Sequence, residues 1–379
     1  MNSAERHEAR FQRRRAARWA REQAHAAACG GYEEVFSYEN LYDGGKQCCK
    51  GVRWKASTQR FEASLPTTTE RTQEELIGGT FKGRGFIEFG IWERGHYRWI
   101  KSVHITERAV QKVLNTRVLR PVFGPSLIYD NGACQTGKGT DFALERLEHH
   151  LHRHYRKHGR EGGILLWDLS KYFDSIPHAP LTEAARRKIK EERLFKLYEQ
   201  FVSAFGDVGL GLGSEISQIS AVFMASPVDH LFKDGLSIKG YARYMDDGYI
   251  IHEDMGFLRM CLEKLRKITA ALGLKLNELK TKIVRLTHQF TFLKMRIRLT
   301  ETGAVVKRLA RQNITKRRRT IKKHRAKLDA GEMTLDSIKE SYTSWKGHAA
   351  RARSYNTVKS MDKLFMSLFG RENLPCLLS

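Results

Sequence analysis

The chain has 379 residues, 41% of them hydrophobic, and Lys plus Arg outnumber Asp plus Glu by 67 to 42, a formal charge of +25. That length suits two or three packed subdomains, the apolar content excludes wholesale disorder, and the charge calls for a polyanionic partner. The charge alone does not separate nucleic acid from an anionic membrane; against a membrane, no apolar run approaches the roughly 20 residues of a bilayer span, and the N-terminus interleaves Arg and Glu where a signal peptide would be apolar. The six cysteines (Cys29, Cys48, Cys49, Cys134, Cys261 and Cys376) show no CxxC spacing. They read as reduced thiols of a cytoplasmic protein and not as a disulfide or zinc framework.

Residues 1–30 form a basic N-terminal arm with Arg13, Arg14 and Arg15 in one run. Its Ala, Arg and Glu favour helix, with a disordered tail as the alternative. From Tyr32 to about Arg98 the chain is mixed and Gly-rich, which predicts a partly irregular segment lying on the surface. Residues 141–158 are predicted helical, with Leu144, Leu147, Leu151 and Tyr155 in one stripe and Gly159 at the stop. His149, His150, His152, His154 and His158 crowd that helix. Without an acid or Cys nearby they read as a solvated basic face, not a zinc site. Ile164–Trp167 predicts a short buried strand, and 180–205 a further helix carrying Leu194, Leu197, Phe201 and Phe205. Residues 241–252 read as a β-hairpin, Tyr-Ala-Arg-Tyr and Tyr-Ile-Ile-His around a tight Met-Asp-Asp-Gly turn. An amphipathic helix follows over 256–272, ended by Gly273. Between Lys307 and Lys327 stand eleven Lys or Arg and no acid, either a solvated face or a surface that grips nucleic acid.

Three carboxylates carry the chemistry. Asp168 ends the predicted strand, and Asp246 and Asp247 sit at the tip of the predicted hairpin. If the hairpin pairs beside that strand, the three converge. Like charges so close repel, and a divalent cation resolves the conflict. Mg²⁺ suits oxygen ligands of this kind, with Mn²⁺ as the substitute. Two ions roughly 3.5–4 Å apart can clamp the attacking and leaving oxygens of an in-line phosphoryl displacement. Alone, Asp-Asp-Gly would read as a polar turn.

Around these acids stand further segments in a fixed order. Tyr244-Met245-Asp246-Asp247 resembles the YxDD signature of reverse transcriptases, and Asp168-Leu-Ser-Lys-Tyr-Phe173-Asp-Ser-Ile resembles their first palm motif. Leu212-Gly213-Ser-Glu-Ile-Ser217-Gln218 falls where these enzymes keep a nucleotide-pocket motif. Gly273-Leu-Lys-Leu-Asn-Glu-Leu-Lys280-Thr281 and Phe290-Thr-Phe-Leu resemble the two motifs that follow, and the resemblance spans residues 98–299. Arg98-Trp-Ile-Lys101 and Arg108-Ala-Val-Gln111 resemble finger motifs that grip a triphosphate. Cys134-Gln-Thr-Gly-Lys138-Gly-Thr140 resembles the template-contacting finger segment, although many relatives have Arg where Gln135 stands.

The resemblance implies roles. Asp168, Asp246 and Asp247 would be catalytic and, with Leu169, would hold the metal. Phe173 would be the steric gate against a ribose 2′-hydroxyl; on its own it would read as core. Lys280 would lie near the leaving pyrophosphate as an acid; on its own it would read as a solvated lysine. Arg98, Arg108, Leu212, Gly213 and Gln218 would complete the nucleotide site. Lys138, Tyr244, Arg317, Arg318 and Arg319 would contact nucleic acid.

The pocket motif narrows the type. Most reverse transcriptases resemble QGxxxSP there, whereas Leu212-Gly213-xxx-Ser217-Gln218 resembles those of diversity-generating retroelements, as does Ser344-Trp345-Lys-Gly347-His348-Ala. That likeness implies error-prone copying of a template-repeat RNA into cDNA from dNTPs, beside a small basic accessory protein, in a bacterial or phage-infected cytoplasm. The alternatives are a phage-defence or orphan bacterial reverse transcriptase, and a non-catalytic nucleic-acid-binding protein on a polymerase scaffold. The expected fold is an α+β right hand. It would comprise the N-terminal arm, fingers over 31–163, an antiparallel-sheet palm over 164–300 with a finger helix at about 180–205, and a basic helical thumb over 301–379.

Overall fold

The structure, a computed structural model, describes residues 3–28, 30–93 and 96–375. Cys29 and Cys376 lie outside them; Cys48, Cys49, Cys134 and Cys261 are free thiols. The chain divides into two compact units, one of Met1–Gly137, Leu169–Ser237 and Lys264–Asn277, the other of Lys138–Asp168, Ile238–Glu263 and Glu278–Ser379.

In the first unit the arm is a helix, Ser3–Ala28. The segment expected to be irregular is instead ordered, with helices Tyr38–Cys49, Ala56–Ala63 and Leu65–Ile77. Two features hid them. Gly44 and Gly45 suggested loop but stand inside a helix, where a Cβ on Gly44 would come within 2.9 Å of Val113. Gly44 lets that helix pack closely on the helix Ile105–Leu114, and Gly45 makes room for Leu65 and Phe61. The buried stripe of Leu65–Ile77 runs Leu65, Thr69, Thr72, Leu76, and its two threonines break the apolar pattern. Their hydroxyls donate back to the carbonyls of Leu65 and Thr68, each at 2.7 Å, so burial leaves them satisfied.

Strands β1 (Phe86–Glu93) and β2 (His96–Val103) form an antiparallel hairpin running from Phe86↔Val103 to Glu93↔His96. The helix expected over 180–205 is two, His178–Arg186 and Glu192–Ser203. Buried Ile189 draws the chain inward between them, and the Glu191 side chain caps the second by accepting from the Leu194 amide. Phe123 stacks on Phe223 with centroids 4.0 Å apart in the core of this unit.

In the second unit a four-stranded antiparallel sheet has the order β4–β5–β3–β6, with β3 Gly163–Asp168, β4 Tyr241–Tyr244, β5 Asp247–His252 and β6 Lys282–Arg285. Every residue of β3 is buried, which is why its text is a continuous apolar run and not an alternation. The helix Thr140–His158 lays Leu144, Leu147 and Leu151 into one cluster with Ile164, Leu166, Tyr249 and Ile251. Each buried leucine contributes about 1.5–3 kcal/mol. A second sheet, β7 (Phe290–Phe292), β8 (Met295–Leu299) and β9 (Val305–Leu309), joins the same core. Helices Arg311–Asp329, Leu335–Ala350 and Tyr355–Phe369 close around Ile321, Ile338, Tyr342, Met361 and Phe365.

The histidine face is corrected in part. His150 and His154 are buried: His150 Nδ1 is 2.9 Å from the Tyr249 hydroxyl, and His154 Nε2 is 2.8 Å from the Glu161 carbonyl. The helix turns these two inward on the same side as its leucines, where their polar atoms find partners. The whole is α+β with antiparallel sheets, as expected. No helix among the described residues is long and apolar enough to cross a membrane.

Candidate active site

The site grows from the end of β3. Pairing of β3 with β5 sets Asp168 directly opposite Asp247, and pairing of β4 with β5 closes the hairpin at Tyr244↔Asp247. Met245 and Asp246 are left as the turn, with Met245 at φ +55. The three carboxylates therefore belong to adjacent strand ends. One pair back, Trp167 faces Gly248. A Cβ there would lie 2.3 Å from the indole, so only glycine lets the two strands close beside the acids.

Electrostatics record the crowding. Asp168 is 3% exposed. Burial, then the charges of Asp246 and Asp168, push the Asp247 carboxyl up to about 8. Burial raises Asp246 as well, with Asp168 adding to it while Lys280 and Arg243 oppose. Lys280 donates to Asp168 Oδ2 at 2.7 Å. Burial pulls the Lys280 ammonium down, but the hydrogen bond and charge of Asp168, with Asp247 and Asp246, hold it above its ordinary value. Lys280 is thus the local counter-charge of the acid cluster.

Arg243 was not foreseen. It is almost wholly buried and donates from Nη1 to the Met245 carbonyl at 2.8 Å, fixing the turn that presents Asp246. The available signal was an arginine inside an otherwise apolar strand, which needs a partner when buried. The donor set, three mutually repelling carboxylates and nothing softer, has the chemistry of a hard-cation site. Among the described residues, however, no three acidic, His or Cys side chains stand as a ready-made metal cage.

A second group of expected residues gathers in the first unit. Phe173, half-buried, lies in the helical turn Tyr172–Ser175, and its carbonyl accepts from the Leu210 amide at 2.7 Å. That bond lays the 208–213 segment alongside, leading to half-buried Leu212 and exposed Gly213, whose φ of +110 favours glycine. Ser214 then caps the helix Glu215–Met224, which carries Gln218 at its exposed side. A relay not foreseen from the sequence holds this loop. The Ser214 hydroxyl donates to Gln111 Oε1 at 2.9 Å, Gln111 bonds Glu107, and Glu107 accepts from the Arg84 amide at 3.2 Å. Lys112 pairs with Glu215 beside it. Arg108 and Gly213 border a common cavity of about 290 Å³ with Lys50 and Lys112. Leu169 is buried and bridges to Leu276. Arg98 stands in β2 opposite Ile91; its side chain lies outside the described residues.

The remaining expected contacts divide. In the second unit Lys138 lies over the Phe142 ring, and Thr140 donates to the Tyr244 hydroxyl at 3.4 Å. The arginine run is not one surface. Arg317 is half-buried over the rings of Tyr342 and Trp345 and bonds Ser341; Arg318 reaches Ser360; only Arg319 faces out without such a contact.

The antiparallel sheet thus brings three acids to neighbouring strand ends, and the same chain carries a glycine-turned loop between Phe173 and the helix Glu215–Met224. Residues 85–297, more than half the chain, match the family described as reverse transcriptase (RNA-dependent DNA polymerase), and the chain belongs to that family. No curated protein matches it. Among solved structures it is similar to a telomerase from Candida albicans in complex with a TWJ fragment of telomeric RNA. That likeness has a TM-score of 0.47 and 10% identity over 78% of this chain and 60% of the other. A telomerase from Candida tropicalis without its C-terminal domain gives 0.45 and 13% over 64% and 60%. The chain thus spans about three fifths of the length of these telomerase chains.

Proposed function

We propose that this chain copies RNA into DNA by two-metal-ion nucleotidyl transfer, and that it is the error-prone polymerase of a diversity-generating retroelement. The pairing of Asp168 opposite Asp247, one residue from Asp246, carries the first part. Asp168, Asp246 and Asp247, with the backbone at Leu169, would hold Mg²⁺ or Mn²⁺. Bound there, such ions supply Lewis-acid stabilisation of the attacking and leaving oxygens. The chain's own groups do the rest. Lys280, bonded to Asp168, lies near the leaving pyrophosphate as an acid, Arg98 and Arg108 grip the triphosphate, and Phe173 crowds a 2′-hydroxyl. Lys138, Tyr244 and the outer face of the basic helix hold template RNA and primer. We assign fingers to 31–163, palm to 164–300 and thumb to 301–379, and place the enzyme in a bacterial or phage-infected cytoplasm with a small basic accessory protein.

Leu212 carries the second part. A polar amide at that position can hydrogen-bond the nucleotide and hold its geometry, whereas leucine only packs, and each 1.4 kcal/mol of lost discrimination is about tenfold in selectivity. Deep sequencing of cDNA made from one defined RNA tests this. Wild type should misincorporate readily, most of all opposite template adenine, and Leu212→Gln should suppress those errors. Rare errors, or errors without adenine bias, would favour a defence-type or orphan reverse transcriptase.

A further inference from the structure

Residues 46–84 precede the span that matches the family, yet with the β1–β2 hairpin and residues 102–108 they line a cavity of about 700 Å³ in the first unit, between the helices Ala56–Ala63 and Leu65–Ile77 and that hairpin. Its lining is chemically one-sided. Five cations enter it and no Asp or Glu does: Lys55, Arg60, Arg71 and Arg84, and at the edge shared with the smaller cavity beside Gly213 also Arg108, the residue assigned to the triphosphate. Arg71 is turned to Glu75, and Lys55 lies over the Trp54 ring. Arg60, Arg84 and Arg108 make no close ion pair among the described residues; the charge of Arg84 acts on Glu107, and Arg108 donates from Nη2 to Ser102 Oγ at 2.5 Å while its Nε is buried without a hydrogen-bond partner. Eight Ser and Thr residues share the lining; Ser64, Thr67, Thr68 and Thr72 already donate within the helices and offer only acceptor lone pairs. Ile87 and Phe89, two residues apart and so on one face of β1, supply an apolar wall with Phe61.

Each part matches a part of one ligand. Planar guanidiniums without carboxylate partners suit phosphates. Hydroxyl oxygens that accept suit a ribose 2′-hydroxyl, and an aromatic wall suits the face of an unpaired base. We propose that this cavity binds a single-stranded segment of RNA, anchoring the template molecule outside the duplex being extended. The proposal rests on the reading of the chain as a copier of RNA. It deepens that reading by giving the helices Ala56–Ala63 and Leu65–Ile77 and strand β1 a substrate-holding role.

The test uses the full chain, fluorescence anisotropy with a labelled oligouridylate, and the DNA strand of equal length as control. Arg60→Gln with Arg84→Gln should weaken RNA binding about tenfold and flatten the log–log salt slope by about 1.4, roughly 0.7 for each cation removed. The loss should be smaller on DNA. Arg60→Lys with Arg84→Lys should restore the slope, which separates lost charge from misfolding. Arg60→Gln alone, which touches nothing in the relay to Ser214, should weaken RNA binding in the same direction while extension of a short pre-annealed RNA–DNA template–primer at saturation keeps its turnover. Three results overturn the proposal: unchanged affinity and slope, equal losses on RNA and DNA, or displacement of the RNA by dATP, which would make the cavity part of the triphosphate site. Wild type that binds RNA through these arginines but extends no primer would refute the polymerase reading and leave the cavity assignment standing.

Discussion

Asp168, Asp246 and Asp247 are costly to bury together, and the cost is measurable. Asp247 has an ordinary carboxyl value of 3.8 that the fold raises to about 8. Between those values the folded state holds a proton that the unfolded state has released. Stability of the metal-free protein therefore falls as pH rises through that window. Asp247→Asn removes the titrating group. In EDTA the variant should melt above wild type at pH 8, with the difference shrinking toward pH 4; in Mg²⁺ the order should narrow or reverse. Scanning calorimetry at several pH values checks this, and a difference that ignores pH would mean the acids are not crowded in solution. Phe173→Ala makes a second test. If the half-buried ring meets the sugar, the variant should incorporate ribonucleotides at least tenfold better than wild type. No gain would return Phe173 to the core.

The basic helix Arg311–Asp329 shows what a run of charges conceals. Successive helical residues point about 100° apart, so adjacent arginines cannot share one face. Arg317 goes inward over Tyr342 and Trp345, where burial lowers its guanidinium to about 10. Lys316, Arg319, Lys322 and Lys323 are exposed. Arg317→Gln should therefore lower the melting temperature by several degrees with little change in the salt slope of binding. The triple change Lys316→Gln, Arg319→Gln and Lys322→Gln should do the opposite, lowering the slope by roughly 0.7–0.9 for each phosphate no longer neutralised. Equal effects from both would contradict the division. The same contrast explains what was legible in the sequence. Leu144–Leu147–Leu151, Ile164–Trp167 and the Tyr241–His252 hairpin carry uninterrupted periods and lie where the text puts them. The helix Leu65–Ile77 was hidden because Thr69 and Thr72 satisfy their own hydroxyls within it. The break near Ile189 depends on one buried side chain and one cap.

Across the whole chain, the surplus of 25 positive charges gives general affinity for polyanions without specifying a reaction. The acids were legible because their motifs are local in sequence. Most of their supports were not: Lys280 on Asp168 and the relay from Arg84 through Glu107 and Gln111 to Ser214 depend on pairings between distant segments, whereas Arg243 bonds a carbonyl only two residues away and showed itself only as an arginine in an apolar strand. Primer extension tests the central claim most directly: a labelled DNA primer on an RNA template, with all four dNTPs and Mg²⁺, comparing wild type with Asp168→Asn and Asp246→Asn. Wild type should make full-length cDNA, and either substitution should reduce synthesis by at least a thousandfold while melting temperature stays within a few degrees. Near wild-type synthesis by either variant, or no synthesis by the wild type with any divalent ion, would contradict the assignment of these acids as the polymerase centre.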